Sequence, residues 1–283
     1  MPDHHDTKPM RPDLELALRA RAEALDAARP AAVAQQRKRG RWTARESLAA
    51  LLDAGSFVEY GGLARPAVAG MEGAADGVVM GTGRIDGRPV DLLFYDYTVY
   101  AGTQSAINHA KTTRMFEHAE KHRLPVICWL DGGGARPHDM KVSGHKASET
   151  FVIFARLSGL VPTIGIVSGR AFAGQANLAG LCDLLIMTPG ASMGMAGPPL
   201  VEAALGVKLT PEEIGPTGVH VATGMVDAAQ SPATTSNVVT PRIAVRLRVM
   251  RCPRVIAERS ARARCGFRRA GRIGLARGPD RRR

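Results

Sequence analysis

Two glycine-rich stretches each follow an apolar run, and such stretches can hold an anion with main-chain atoms alone. The first is Asp131-Gly132-Gly133-Gly134-Ala135-Arg136, directly after LPVICWL. Its three glycines allow backbone conformations closed to other residues and let a ligand approach the main chain. The second is Ser168-Gly169-Arg170-Ala171-Phe172-Ala173-Gly174-Gln175, after VPTIGIV and entering the helical run AGQANLAGL. There the N–H groups belong to a positive helix end. Together the two bends can form a two-donor oxyanion hole, in which removing one donor costs about 2.7–4 kcal/mol. Glycines also make plain tight turns; what favours the donor reading is that both bends end successive strands.

Side chains offer less. His118 and His122 stand at i, i+4 and could share a metal, but no third ligand accompanies them, so no metal is expected. A GxSxG elbow and a Walker loop are both absent. Lys111 and Arg114 share a predicted helical face and are candidates to meet phosphates. Glu202, in GPPLVEAALG, is the one acidic residue in an otherwise apolar or small stretch and a candidate acid or base. Arg136 reads as an ion-pair anchor beside the triple glycine.

Alternating elements must position these groups. Asp13 to Arg29 reads as a helix stopped by Pro30, and Thr43 with Glu46 as a capping box opening a helix through Leu52. GVVMGTGRI and PVDLLFYDY flank an Asp86-Gly87 hairpin turn. A polar-faced helix over Gln104–Arg123 follows. Then come strand LPVICWL, a helix over Ser148–Ser158, strand VPTIGIVSG, a turn at Gly169–Phe172, a helix, and strand DLLIMT. Short apolar strands separated by helices predict an α/β core with buried, mostly parallel pairing.

With 283 residues, 45% of them hydrophobic, the chain has ample material for a core, which excludes disorder throughout. No run approaches a membrane span of about 18 apolar residues. No secretory leader is visible, and the four cysteines form no CxxC pair or disulfide framework. A cytoplasmic protein without a membrane partner is expected. The net charge of +12 is local: residues 1–240 hold 23 Lys and Arg against 24 Asp and Glu, whereas residues 241–283 hold 15 Arg, no Lys and two acids. Only Phe267 interrupts that basic run with an aromatic ring, so nucleic acid is not the expected partner. The predicted organisation is a leader and helix over 1–34, a catalytic-type domain over 35–227 and an Arg-rich tail over 228–283. The tail is expected to be disordered, or to be the product of a shifted reading frame.

Seven collinear segments between about residues 35 and 227 carry a family resemblance. They include RGRWTARESLAALLDAGSFVEYGGLA (39–64), ADGVVMGTGRIDGRPV (75–90), FYDYTVYAGTQSAINHAKTTRMFEHAEKHRLPVI (94–127) and DGGGAR (131–136). RLSGLVPTIGIVSGRAFAGQANLAGLCDLLIM (156–187), SMGMAGPPLVEAALGVKLTPEEIGP (192–216) and TGVHVATGMVD (217–227) complete them. The chain resembles the N-terminal domain of acyl-CoA carboxylase carboxyltransferase subunits of the propionyl/acetyl-CoA carboxylase beta-chain type. That resemblance implies an α/β, crotonase-like (ClpP/crotonase) superhelix of repeated β-β-α turns with flanking helices. It also implies transfer of a carboxyl group from carboxybiotin to the α-carbon of an acyl-CoA, through an enolate held by backbone amides. Biotin itself would take the α-proton, so no side-chain base is required.

By position, the resemblance assigns catalytic amides to Gly133, Gly134 and Ala135 in one bend and to Gly174 and Gln175 in the other. Arg136, Gly197, Pro198, Lys111 and Arg114 fall on the acyl-CoA side. No AMKM-like biotinylation sequence is present, so carboxybiotin is expected on a separate carrier, with a biotin carboxylase subunit as partner. A second crotonase-like domain, supplied within a homo- or hetero-oligomer, would complete the biotin half of the site. The alternatives are an enoyl-CoA hydratase or isomerase of the same superfamily, with Glu202 moving protons, and an inactive truncated carboxyltransferase domain.

Overall fold

The computed structural model describes residues 10–229; the tail expectation therefore lies almost wholly outside the described residues. Helices α1 (Pro12–Glu23) and α2 (Pro30–Lys38) come first. Pro30 opens the second helix rather than only ending the first, because a proline at the first helical position lacks an N–H that would go unpaired there anyway. Helix α3 (Ala44–Leu51) begins with the predicted capping box: the Thr43 side chain accepts from Glu46 N, and the Glu46 carboxylate accepts from Thr43 N at 2.9 Å.

Strand β1 (Val58–Tyr60) pairs antiparallel with β2 (Val78–Ile85), which forms the Asp86-Gly87 hairpin with β3 (Arg88–Tyr95). Both turn residues have positive φ, 50° and 76°, the geometry of a type I′ turn. Helix α4 (Ala106–His122), strand β4 (Val126–Trp129), helix α5 (Met140–Arg156) and strand β5 (Thr163–Val167) follow. Then come β6 (Arg170–Phe172), α6 (Gly174–Leu181), β7 (Leu184–Met187), β8 (Ser192–Gly194), α7 (Pro198–Leu205), α8 (Thr217–Ala222) and β9 (Ala228–Ala229).

The main sheet has the order β1-β2-β3-β4-β5-β7-β9, parallel from β3 onward. Strands β4, β5 and β7 are buried on both faces, which is why they read as continuous apolar runs. Alternate residues divide cleanly between the faces. Leu93, Tyr95, Val126 and Cys128 join Phe116 and Phe154 beneath α4 and α5. Leu92, Phe94, Ile127 and Trp129 join Leu48 and Leu51 of α3 on the other side.

One expectation needs correction and another needs extension. Gly169–Phe172 is not simply a turn: Arg170–Phe172 form β6, which pairs parallel with β8 in a second, two-stranded sheet. Helix α4 turns the expected polar face to solvent, with Arg114, Glu117 and Lys121 exposed, but its inner side is polar as well: Asn108, His109, Lys111, Thr112 and Thr113 are all buried. Partners inside the fold replace water: His109 Nδ1 and Thr113 Oγ1 both meet Thr150 Oγ1, at 3.2 and 2.9 Å. Burial holds the His109 imidazole down at about 4.

Candidate active site

Parallel pairing of β4 and β5 brings the two glycine-rich bends side by side at the carboxyl ends of the strands, where open α/β sheets bind ligands. Main-chain hydrogen bonds lace them together. Gly132 N donates to Arg170 O at 2.6 Å, and Phe172 N donates to Gly132 O at 3.0 Å. On its other side β6 is held by β8, and Ala173 N donates to Gly194 O at 3.0 Å. Ala173, the residue capping α6, has φ 51° and ψ −110°. Such a conformation in a non-glycine residue costs about 1–3 kcal/mol and recurs at functional sites.

Many of the N–H groups in the first bend are already used. Gly133 N donates to Ala101 O at 3.1 Å, Gly134 N to Gln175 Oε1 at 3.0 Å, and Arg136 N to Gln104 O at 2.7 Å. Among the described residues no acceptor meets the Ala135 N–H, and Ala135 is exposed. Of the three amides expected to act there, that of Ala135 is the one without an acceptor among the described residues. In the second bend the amides of Gly174 and Gln175 precede the intrahelical ladder, which starts at Asn177 N to Ala173 O, 2.9 Å. Both residues are buried.

Gln175 has a second task that its position in the sequence did not disclose. Its fully buried side chain accepts from Gly134 N and donates from Nε2 to Gly102 O at 2.7 Å. It thereby ties α6 to the first bend. Gln104 is a second such tie: Nε2 donates to Tyr95 Oη at 2.8 Å, while Oε1 lies where a Cβ on Gly174 would stand. Asp131 is a third. Its buried carboxylate accepts from Arg170 N at 2.8 Å, and burial raises it to about 6 despite nearby Arg41 and Arg170. An acid placed at a strand end, before three glycines, was the available signal for Asp131.

Several candidates lie elsewhere. Arg136 is buried, 2% exposed, and its Nη1 donates to Asp76 Oδ1 at 2.6 Å, the ion-pair anchor expected beside the first bend. Lys111 and Arg114, three residues apart on α4, differ in exposure: Lys111 is buried while Arg114 is exposed. The Lys111 ammonium donates to Ala75 O and Val78 O, 2.6 and 2.8 Å, and burial lowers it to about 8. Two of its three N–H donors are thus committed inside the fold. Glu202 is exposed on α7 and meets Lys208 at 3.6 Å. His118 Nδ1 meets Asp91 Oδ2 at 2.8 Å, and its ring lies tilted against that of His122, 4.4 Å between centroids. Among the described residues no group of three His, Cys, Asp or Glu side chains is placed to hold a metal. Gly197 precedes α7 beside the Phe172 ring, and Pro198 opens that helix. No helix among the described residues is long and apolar enough to cross a membrane.

Comparison with known proteins gives this geometry a context. The methylmalonyl-CoA carboxyltransferase 12S subunit of Propionibacterium freudenreichii subsp. shermanii is 36% identical over 195 residues, covering 67% of this chain and 37% of that protein. A single-chain, multi-domain long-chain acyl-CoA carboxylase superposes with a TM-score of 0.75 at 40% identity, over 84% of this chain and 25% of that one. A subunit of a Pseudomonas malonate decarboxylase hetero-tetramer superposes with a TM-score of 0.68 at 25% identity, over 84% of this chain and 92% of that one. The fold these neighbours share is the crotonase-like arrangement of helices and mixed sheet expected from the resemblance. The chain spans less than two fifths of the length of the 12S subunit it matches. Residues 35–235 match the carboxyl transferase domain throughout, both bends included, and the chain belongs to that family.

Proposed function

We propose that this chain forms the acyl-CoA half of a biotin-dependent carboxyltransferase. The observation that carries this reading is the pair of laced bends, which leave free amides at Ala135 and at the first turn of α6. Those amides donate to the thioester oxygen as negative charge develops on it during enolate formation. Donors fixed before the reaction need no reorganisation, which is the source of their effect on rate. The walls are small residues and Phe172, so an acyl thioester can reach the main chain. Carboxybiotin, carried on another protein, supplies the carboxyl group as a co-substrate. This chain's own contribution is to bind and orient the thioester and to hold the enolate charge.

The relatives' names support a CoA ester as substrate, and a neighbour of similar length is one subunit of a hetero-tetramer. The remaining half of the site therefore comes from a second carboxyltransferase domain, in this protein or on a partner chain. Residues 35–227 act as the folded unit of this half-site. The exposed Glu202, tied to Lys208, disfavours the hydratase reading. In the test, purified chain is incubated with acetyl-CoA or propionyl-CoA and a carboxylated biotin carrier, alone and with a second carboxyltransferase domain. Malonyl- or methylmalonyl-CoA is the expected product. A folded protein that yields neither, in either mixture, overturns the proposal.

A further inference from the structure

A cavity of about 410 Å³ lies at the strand ends, and none of the five candidate catalytic residues lines it. Its walls come from the segment before α3 and from the ends of three parallel strands. Trp129 closes β4, Ser168 follows β5 and Thr188 follows β7. Arg39, Arg41 and Arg170 line it with one lining carboxylate, Glu212, while the buried Asp131 carboxylate lies close behind Arg41 and Arg170.

The charges inside are incompletely matched. Glu212 is shared between Arg170, at 2.8 Å, and Arg41, at 3.9 Å. One Arg41 nitrogen, Nη1, is buried without a hydrogen-bond acceptor among the described residues. Arg39 is exposed, lies 5.7 Å from the Tyr97 ring centroid, and has no carboxylate partner among them. Planar guanidinium groups favour oxyanions that accept two parallel hydrogen bonds, namely carboxylates and phosphates. The cavity also has flat walls. Trp129 is fixed by stacking on Phe94, 5.4 Å between centroids, and Trp42 is 39% exposed.

We propose that this cavity is a second ligand site, for a small organic molecule bearing a phosphate or carboxylate group, in which Glu212 holds the oxyanion's place when the ligand is absent. The charge arrangement gives the direction of two effects. Removing the Glu212 charge frees both arginines for the ligand and strengthens binding. Removing Arg39, which makes no ion pair, weakens binding without unbalancing the fold.

The chain has two tryptophans, and both line this cavity. Tryptophan emission of the full chain therefore reports on it without any need for activity. Titrations use inorganic phosphate, citrate and adenosine 3′,5′-bisphosphate, with adenosine as the uncharged control. A saturable change is expected with an anion and none with adenosine. A response to the two phosphates alone assigns a phosphate ligand, and a response to citrate alone a carboxylate. Glu212→Gln should tighten the responding anion about tenfold and Arg39→Gln should weaken it by a similar factor. A wild-type protein silent to every anion overturns the proposal, and so does a Glu212→Gln protein that binds no tighter.

Discussion

The two bends of the site solve the same problem in opposite ways. The triple-glycine bend is rich in small residues, yet its Gly133, Gly134 and Arg136 amides are consumed by Ala101, Gln175 and Gln104. The second bend contains an ordinary alanine in a strained conformation and leaves the first-turn amides of α6 outside the ladder. Glycine content therefore measures how closely segments can approach, whereas donor capacity is whatever the lacing leaves over. In the first bend that is one amide, at Ala135. In the second it is the start of a helix, whose dipole adds to the same end.

The largest effect is expected from Gly174→Ala, which attacks the joint between the bends. An added Cβ would run into Gln104 Oε1, which is itself tied to the buried Tyr95 hydroxyl. Either Gln104 or the start of α6 must shift, and a misplaced donor loses about 10²–10³ in kcat. Steady-state transfer assays on Gly174→Ala should show that loss chiefly in kcat. A variant with wild-type turnover would break the view that α6 supplies donors.

Gln175→Ala separates the lacing from the donors. Its main-chain N–H survives, but Gly134 N and Gly102 O both lose their buried partner. Each unsatisfied group costs about 1–3 kcal/mol. Denaturant unfolding should show a clear drop in stability, and Gly134 should exchange its amide hydrogen faster. Unchanged protection at Gly134 would mean that the first bend holds itself.

What was legible follows from the same contrast. Local chemistry was readable: the Thr43 capping box, the Asp86-Gly87 hairpin and the apolar strands stand where their residue types put them. Proximity of the bends was inferable too, since successive short strands in an α/β pattern pair in parallel. Long-range polar pairing was not. Nothing in the neighbours of Gln175 shows that its amide spans to Gly102, 73 residues earlier. Likewise, the i, i+3 spacing of Lys111 and Arg114 described a face, but α4 is covered by the sheet on one side and α5 on the other. That packing turned Lys111 inward, to the carbonyls of Ala75 and Val78. Small strands such as β6 escaped because three residues carry no usable period, and their partners, Gly132 and β8, lie far along the chain.

A smaller effect, on pH dependence, should come from Asp131, the carboxylate that joins the two bends from below. Its value is raised from an ordinary 3.8 to about 6 by burial. A carboxyl raised in the folded state holds its proton there after the unfolded chain has released it. Its stabilising contribution is therefore complete below about pH 3.8 and is lost as pH rises through about 6. Asp131→Asn keeps an oxygen to accept from Arg170 N and does not titrate. Unfolding free energy followed from pH 4 to 7 should fall less steeply with rising pH in this variant than in wild type. Parallel profiles would place the titration elsewhere.

The smallest effect is expected from Glu202→Gln, and the smallness is the point. If the two bends hold the enolate charge with main-chain donors, an acid on α7 has no part in the chemistry. Glu202 is exposed and its one ion pair, to Lys208 at 3.6 Å, is of the kind that contributes about 0–1 kcal/mol. Transfer activity and unfolding midpoint should both stay close to wild type. Proton-transfer chemistry of the hydratase kind predicts the contrary, because losing the general acid or base removes about 10²–10⁴ in rate. A collapse of that size in Glu202→Gln, with stability intact, would show a side chain performing what the comparison assigns to the backbone.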